Sequence, residues 1–160
     1  MALVKCAIGQ DSHRFEDTYS EKKLVLGGVV IPGCVGMKAN SDGDVALHAI
    51  TNCISGITGV NILGKIADDM CKIGIKDSTA YLRRALEELP ETCKIEHISL
   101  TIEALRPKLA PHIDEMKASI GSLLGIAHSS VGITATTGEG LTPFGQGLGI
   151  SVFGILTVSC

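Results

Sequence analysis

The sequence predicts an α+β fold of two layers (an α/β two-layer arrangement), with one sheet and helices packed against it, and three stretches carry that expectation. Ile95 to Ala104 alternates apolar and polar residues, the period of a half-buried strand. Ile150 to Val158 is apolar on both faces, as suits a strand covered on both sides. Val45, Leu47, Ala49, Ile50, Cys53, Ile54 and Ile57 recur at helical spacing, so helical and strand patterns alternate along the chain.

Taken in order, Val4 to Gly9 reads as a short strand closing on Asp11-Ser12-His13, and Arg14 to Lys23 as a polar surface loop. Leu24 to Gly33 reads as a bent strand or hairpin with Gly27-Gly28 at its turn. The polar stretch Asn40-Ser41-Asp42-Gly43 then opens the helix that begins at Val45, with Asp42 and Asp44 where carboxylates cap free N–H groups. Gly56 to Gly64 breaks the helical pattern, and Lys65 to Lys76 has no clean period, which predicts an irregular connection. Asp77-Ser78 resembles a cap for a helix over Thr79 to Leu89, ended by Pro90. Pro111 opens a third helix to about Leu124, stopped near Gly125. Two further strands, Ser130 to Thr137 and Leu148 to Val158, flank the glycine-rich loop Gly138 to Gly147.

The length of 160 residues suits one domain spanning 1–160. With 45% hydrophobic and 19% charged residues the chain has surplus apolar surface, which points to an oligomer interface. A net charge of -3, no Trp and few other aromatics argue against a nucleic-acid partner. No apolar run approaches a membrane span and no signal peptide is evident, so a soluble, cytoplasmic protein is expected. The six cysteines form no CxxC pair, and reduced thiols are the expected state.

Residues two apart on a strand face the same side, so Asp11 and His13 can share one ligand. With His48, just over one turn inside its helix, they make a three-ligand set that suits Zn²⁺ and leaves a fourth position open. Thr136, Thr137 and Glu139 lie at a strand end beside the glycine-rich loop, where hydroxyls and N–H groups can hold phosphate oxygens and a carboxylate can hold Mg²⁺. Arg106 and Lys108, fixed by Pro107, could meet phosphate charge. The loop matches neither a Walker sequence nor GxGxxG. His97, His112 and His128 read as structural.

Four segments occur in the order seen in the 2-C-methyl-D-erythritol 2,4-cyclodiphosphate synthase family: Asp11-Ser12-His13, Ser41-Asp42-Gly43-Asp44-Val45-Ala46-Leu47-His48, Arg106-Pro107-Lys108-Leu109-Ala110-Pro111-His112-Ile113 and Ala135-Thr136-Thr137-Gly138-Glu139. The chain resembles that family from about Ile8 to Val158. The resemblance implies a mixed four-stranded sheet with helices on one face, in a homotrimer whose sheets face the central axis. It implies cyclisation of 4-diphosphocytidyl-2-C-methyl-D-erythritol 2-phosphate with release of CMP, at sites between subunits. It further implies Asp11, His13 and His48 as Zn²⁺ ligands, Glu139 as holder of a Mg²⁺ or Mn²⁺ at the diphosphate, and Thr137 and Asn40 as catalytic residues. Substrate contacts would come from Ser41, Gly64 and Asp69. A cytidine pocket would be lined by Ala104, Leu105, Arg106, Pro107, Lys108, Leu109 and Ala110 with Ala135, Thr136 and Gly138.

The chain departs from the family pattern in places. Asn40 stands where most members have a histidine, Ile62-Leu63-Gly64 replaces Asp-Ile-Gly, and Gln146 replaces an arginine. Two other classes fit the same ligand set: a zinc hydrolase, and a non-catalytic trimer that binds isoprenoid phosphates.

Overall fold

The computed structural model describes residues 3–160. Six strands are formed: β1 (Val4–Arg14), β2 (Lys23–Leu26), β3 (Val29–Val35), β4 (Lys94–Glu103), β5 (Val131–Thr136) and β6 (Gly149–Ser159). Four of them make a sheet in the order β1-β6-β4-β5, antiparallel except for the parallel pair β4 and β5. The mixed four-stranded sheet is thus as expected, and β1 lies at its edge. β2 and β3 form a separate hairpin, turned by Gly27 and Gly28 at φ 62° and 79°, the left-handed conformation that short hairpin turns demand.

Four α-helices accompany the sheet: α1 (Val45–Thr58), α2 (Lys65–Lys72), α3 (Ser78–Leu86) and α4 (Ile113–Leu124). α1 packs on β1 and β6, and α4 on β5, burying Ile98, Leu100, Ile102, Ile150, Val152, Leu156 and Val158 beneath them. On the opposite face Ile8 pairs with Ile155 in register beside Phe153, and all three stay about half exposed or more, at 66%, 51% and 48%. Within one chain β6 is therefore covered on one side only.

The capping expectations hold. Asp44 accepts from Leu47 N at the start of α1, and Asp77 accepts from Thr79 N at the start of α3. Asp44 does more than cap: its two oxygens also accept from Gly27 N and Gly28 N at 2.8 and 2.6 Å, tying the hairpin turn to the helix.

Several expectations are corrected. β1 runs on through Asp11 and His13 to Arg14, and Phe15 beyond it is buried rather than looped out, bridging Met37. α1 continues past Gly56 to a left-handed Gly59; Gly56 sits inside the helix because a β-carbon there would stand 3.0 Å from that of Ala7 on β1. The segment from Lys65 is helical to Lys72, with Ile66, Ala67, Met70 and Cys71 turned inward. Two turns are too few for that stripe to register as a period. α3 ends at Leu86, not Leu89, and the third predicted helix begins as a 3₁₀ turn over Ala110–His112. Cys93 and Cys160 are joined in a disulfide, against the expectation of reduced thiols, whereas Cys6, Cys34, Cys53 and Cys71 are free. Cys160 is brought there by β-type pairing of its backbone with Leu3.

Candidate metal centre and active site

Asp11 and His13 project from the helix-covered face of β1, opposite Val152 and Ile150 in register. α1 lies close over β1 because Gly9 has no side chain to hold it off. His48, in the second turn of α1 and 6% exposed, is thereby set against the two strand residues. The Asp11 Oδ2 atom lies 2.9 Å from His48 Nδ1 and 3.1 Å from His13 Nε2, and the two ring nitrogens are 3.3 Å apart. Burial would raise the Asp11 carboxyl, but hydrogen bonding with His13 and His48, reinforced by the charge those rings can carry, holds it well below the usual carboxylate range. Two imidazoles and one ionised carboxylate converging from two rigid elements fit a divalent cation of the zinc type.

These three residues open into a cavity of about 690 Å³, also lined by Glu16, Lys38, Asn40, Ser41, Asn52, Gly64, Asp68 and Tyr81. Lys22 pins the Asn40 loop by donating to the carbonyls of Ala39 and Ser41 at 2.9 and 2.7 Å. Asn40, expected to be catalytic, and Ser41 and Gly64, expected to contact substrate, thus line the same cavity as the candidate metal group Asp11, His13 and His48. Asp69 is not among them: its carboxylate is paired with Lys65 and Lys72, and Asp68 is the acidic residue of α2 that lines the cavity.

The remaining expected residues assemble elsewhere. Ala104, Leu105, Pro107, Lys108, Leu109, Ala110, Ala135, Thr136 and Thr137 line a second cavity of about 240 Å³. Arg106 turns away, its guanidinium 5.0 Å above the Phe15 ring. Gly138 sits against Glu103, where a β-carbon would strike the carboxylate, and Thr142 donates to that same carboxylate. Glu139 is exposed and held at φ 51°, ψ 27°. The two cavities share no residue, so in one chain Glu139 and the threonines do not join the Asp11 cluster.

A model of the YgbB family matches residues 4–159. The 2-C-methyl-D-erythritol 2,4-cyclodiphosphate synthase of Chlamydia muridarum is 49% identical over 157 residues, covering 98% of this chain and 88% of the relative. The chain belongs to this family. Among solved structures, a 2C-methyl-D-erythritol-2,4-cyclodiphosphate synthase in a CDP-bound form superposes at TM-score 0.83 with 30% identity, over 95% of this chain and 98% of that one. The bifunctional IspDF of Campylobacter jejuni superposes at 0.88 with 27% identity over 99% of this chain, which spans 43% of that larger protein. Family membership accounts for the order of the four motifs and for the mixed sheet.

Sequence reasoning missed Lys38, Glu16, Asp68 and Tyr81 in the main cavity, and Ser78 behind His48. Ser78 alone carried a signal, since Asp77-Ser78 marks a helix start; its hydroxyl lies 2.8 Å from His48 Nε2. Among the described residues, no helix is long and apolar enough to cross a membrane.

Proposed function

We propose that the chain catalyses the metal-dependent cyclisation of 4-diphosphocytidyl-2-C-methyl-D-erythritol 2-phosphate to 2-C-methyl-D-erythritol 2,4-cyclodiphosphate, releasing CMP, in the non-mevalonate route to isoprenoids. The observation that carries the reading is the convergence of Asp11, His13 and His48 in the wall of the large cavity, in a chain 49% identical to a synthase of that name. Zn²⁺ on those three residues, and Mg²⁺ or Mn²⁺ on Glu139, would neutralise and polarise the diphosphate.

The chain's own residues have a positioning task. An oxygen of the 2-phosphate attacks the β-phosphorus, the bond from that phosphorus to the CMP oxygen breaks, and CMP leaves with the electron pair. Asn40 and Ser41, with the Gly64 backbone, hold the erythritol phosphates in the cavity that all three line. The smaller apolar cavity between Ala104 and Ala110 receives the cytosine and ribose, and Thr137 donates to the charge that develops on the phosphoryl oxygens. No proton abstraction is required, so catalysis is orientation and charge stabilisation.

The two half-sites are separate within one chain, and an apolar sheet face with Ile8, Phe153 and Ile155 is left open on the side away from the helices. Both facts support an oligomer, read here as a homotrimer, in which a neighbouring copy completes each site. Phosphorus NMR with Zn²⁺, Mg²⁺ and the diphosphocytidyl substrate tests the reaction. CMP with a cyclic diphosphate is the expected outcome; CMP with a linear diphosphate would mean that water attacks, and no turnover with metal bound would mean a binding protein.

A further inference from the structure

We infer that Ser78, together with Asp42, is a positioning residue that fixes the tautomer of His48 and so prepares the metal centre. The inference rests on the reading that Asp11, His13 and His48 hold a cation.

Ser78 is the first residue of α3 and wholly buried, and α3 packs on α1. Its hydroxyl touches two groups: the Asp42 carboxylate and, at 2.8 Å, His48 Nε2. Asp42 also accepts from Asp44 N and Ser78 N, both at 3.0 Å. Ser78 Oγ is the donor to Asp42 Oδ1, so its single hydroxyl proton is spent there. The Ser78 oxygen then has only lone pairs to offer, and His48 Nε2 must carry the hydrogen that it donates to Ser78. In the neutral ring this leaves Nδ1 as a bare lone pair, 2.9 Å from the Asp11 oxygen and 3.3 Å from His13 Nε2. That lone pair faces the Asp11 carboxylate and His13, the arrangement in which the three ligand atoms can share one cation.

The directional chain Asp42, Ser78, His48 therefore runs from the loop before α1, through the start of α3, to a ring nitrogen beside Asp11 and His13. Outer partners of this kind set ring orientation and ligand basicity, and their loss weakens metal binding by about 10–100-fold.

The test uses the full chain. Zinc dissociation constants are measured by competition with a chromophoric chelator for the wild type, Ser78→Ala and Ser78→Thr, with circular dichroism to check folding. Ser78→Ala is expected to weaken zinc binding by about 10–100-fold, and Ser78→Thr, which keeps the hydroxyl, to recover most of it. Should Ser78→Ala not fold, ¹⁵N imidazole shifts of the zinc-loaded wild type decide, with His48 expected to be protonated at Nε2 and metal-bound at Nδ1. Unchanged affinity in a folded Ser78→Ala, or a His48 protonated at Nδ1, would overturn the inference. Failure of the wild type to bind zinc would instead overturn the underlying metal reading.

Discussion

A β-carbon on Gly9 of β1 would stand 2.5 Å from the backbone nitrogen of Cys53 on α1, and 2.1 Å from the carbonyl oxygen of Ala49. Helix and strand are therefore in backbone contact, two residues from Asp11 along β1 and, at Ala49, next to His48 along α1. Gly9→Ala must push α1 off the sheet, at a cost of about 3 kcal/mol or more. Since the same crossing sets His48 against Asp11, zinc affinity falls with stability. Urea denaturation and chelator competition on one preparation check both; a variant that keeps its zinc affinity would separate the packing from the site.

Asp44→Ala leaves the N–H groups of Gly27, Gly28 and Leu47 without their acceptor. Loss of the cap and of two further contacts in a buried setting is expected to cost about 3 kcal/mol. Chemical denaturation measures the loss, and hydrogen exchange should open first at the β2–β3 turn.

Glu139 is the sole non-glycine residue among the described ones with a positive φ, 51°. Glu139→Gly relieves about 1 kcal/mol of backbone strain while removing the carboxylate proposed to hold the second metal. Stability is expected to hold or rise as CMP release drops about a hundredfold. A parallel fall in melting temperature and activity would assign Glu139 a structural role instead.

The Cys53 thiol should be unreactive in the folded protein. Burial pushes it up to about 12. At pH 8 iodoacetamide is expected to reach Cys53 only after unfolding. The sign for stability follows: an unfolded thiol ionises near pH 8.5–9 and the buried one does not, so this contribution is intact below about pH 8.5 and fades as pH rises towards 12.

The Cys93–Cys160 bond closes a separation of 67 residues. Cys160→Ser is expected to lower stability by about 2–4 kcal/mol in non-reducing buffer, and dithiothreitol should remove the difference from wild type. Equal melting temperatures under both conditions would contradict a structural role for the bond.

Much of this protein was legible along the chain because the determining interactions are local. Alternation marked β4, the hydroxyl- and carboxylate-bearing caps marked α1 and α3, Gly27-Gly28 marked the hairpin turn, and the two-residue spacing of Asp11 and His13 put both on one face of a strand. The four motifs, in order, carried the family. Only the tertiary structure could decide what depends on contacts between distant segments. It joined His48 to β1 through the bare surface of Gly9, and put Ser78 behind His48 from 30 residues away in sequence. It turned Asp69 to the lysines of its own short helix and presented Asp68 to the cavity instead. It bonded Cys160 to Cys93 by running the last strand beside both β1 and β4. Local patterning fixes which face of an element is apolar, but the identity of the partner across that face is set by packing the whole chain at once, and no window along the sequence contains it.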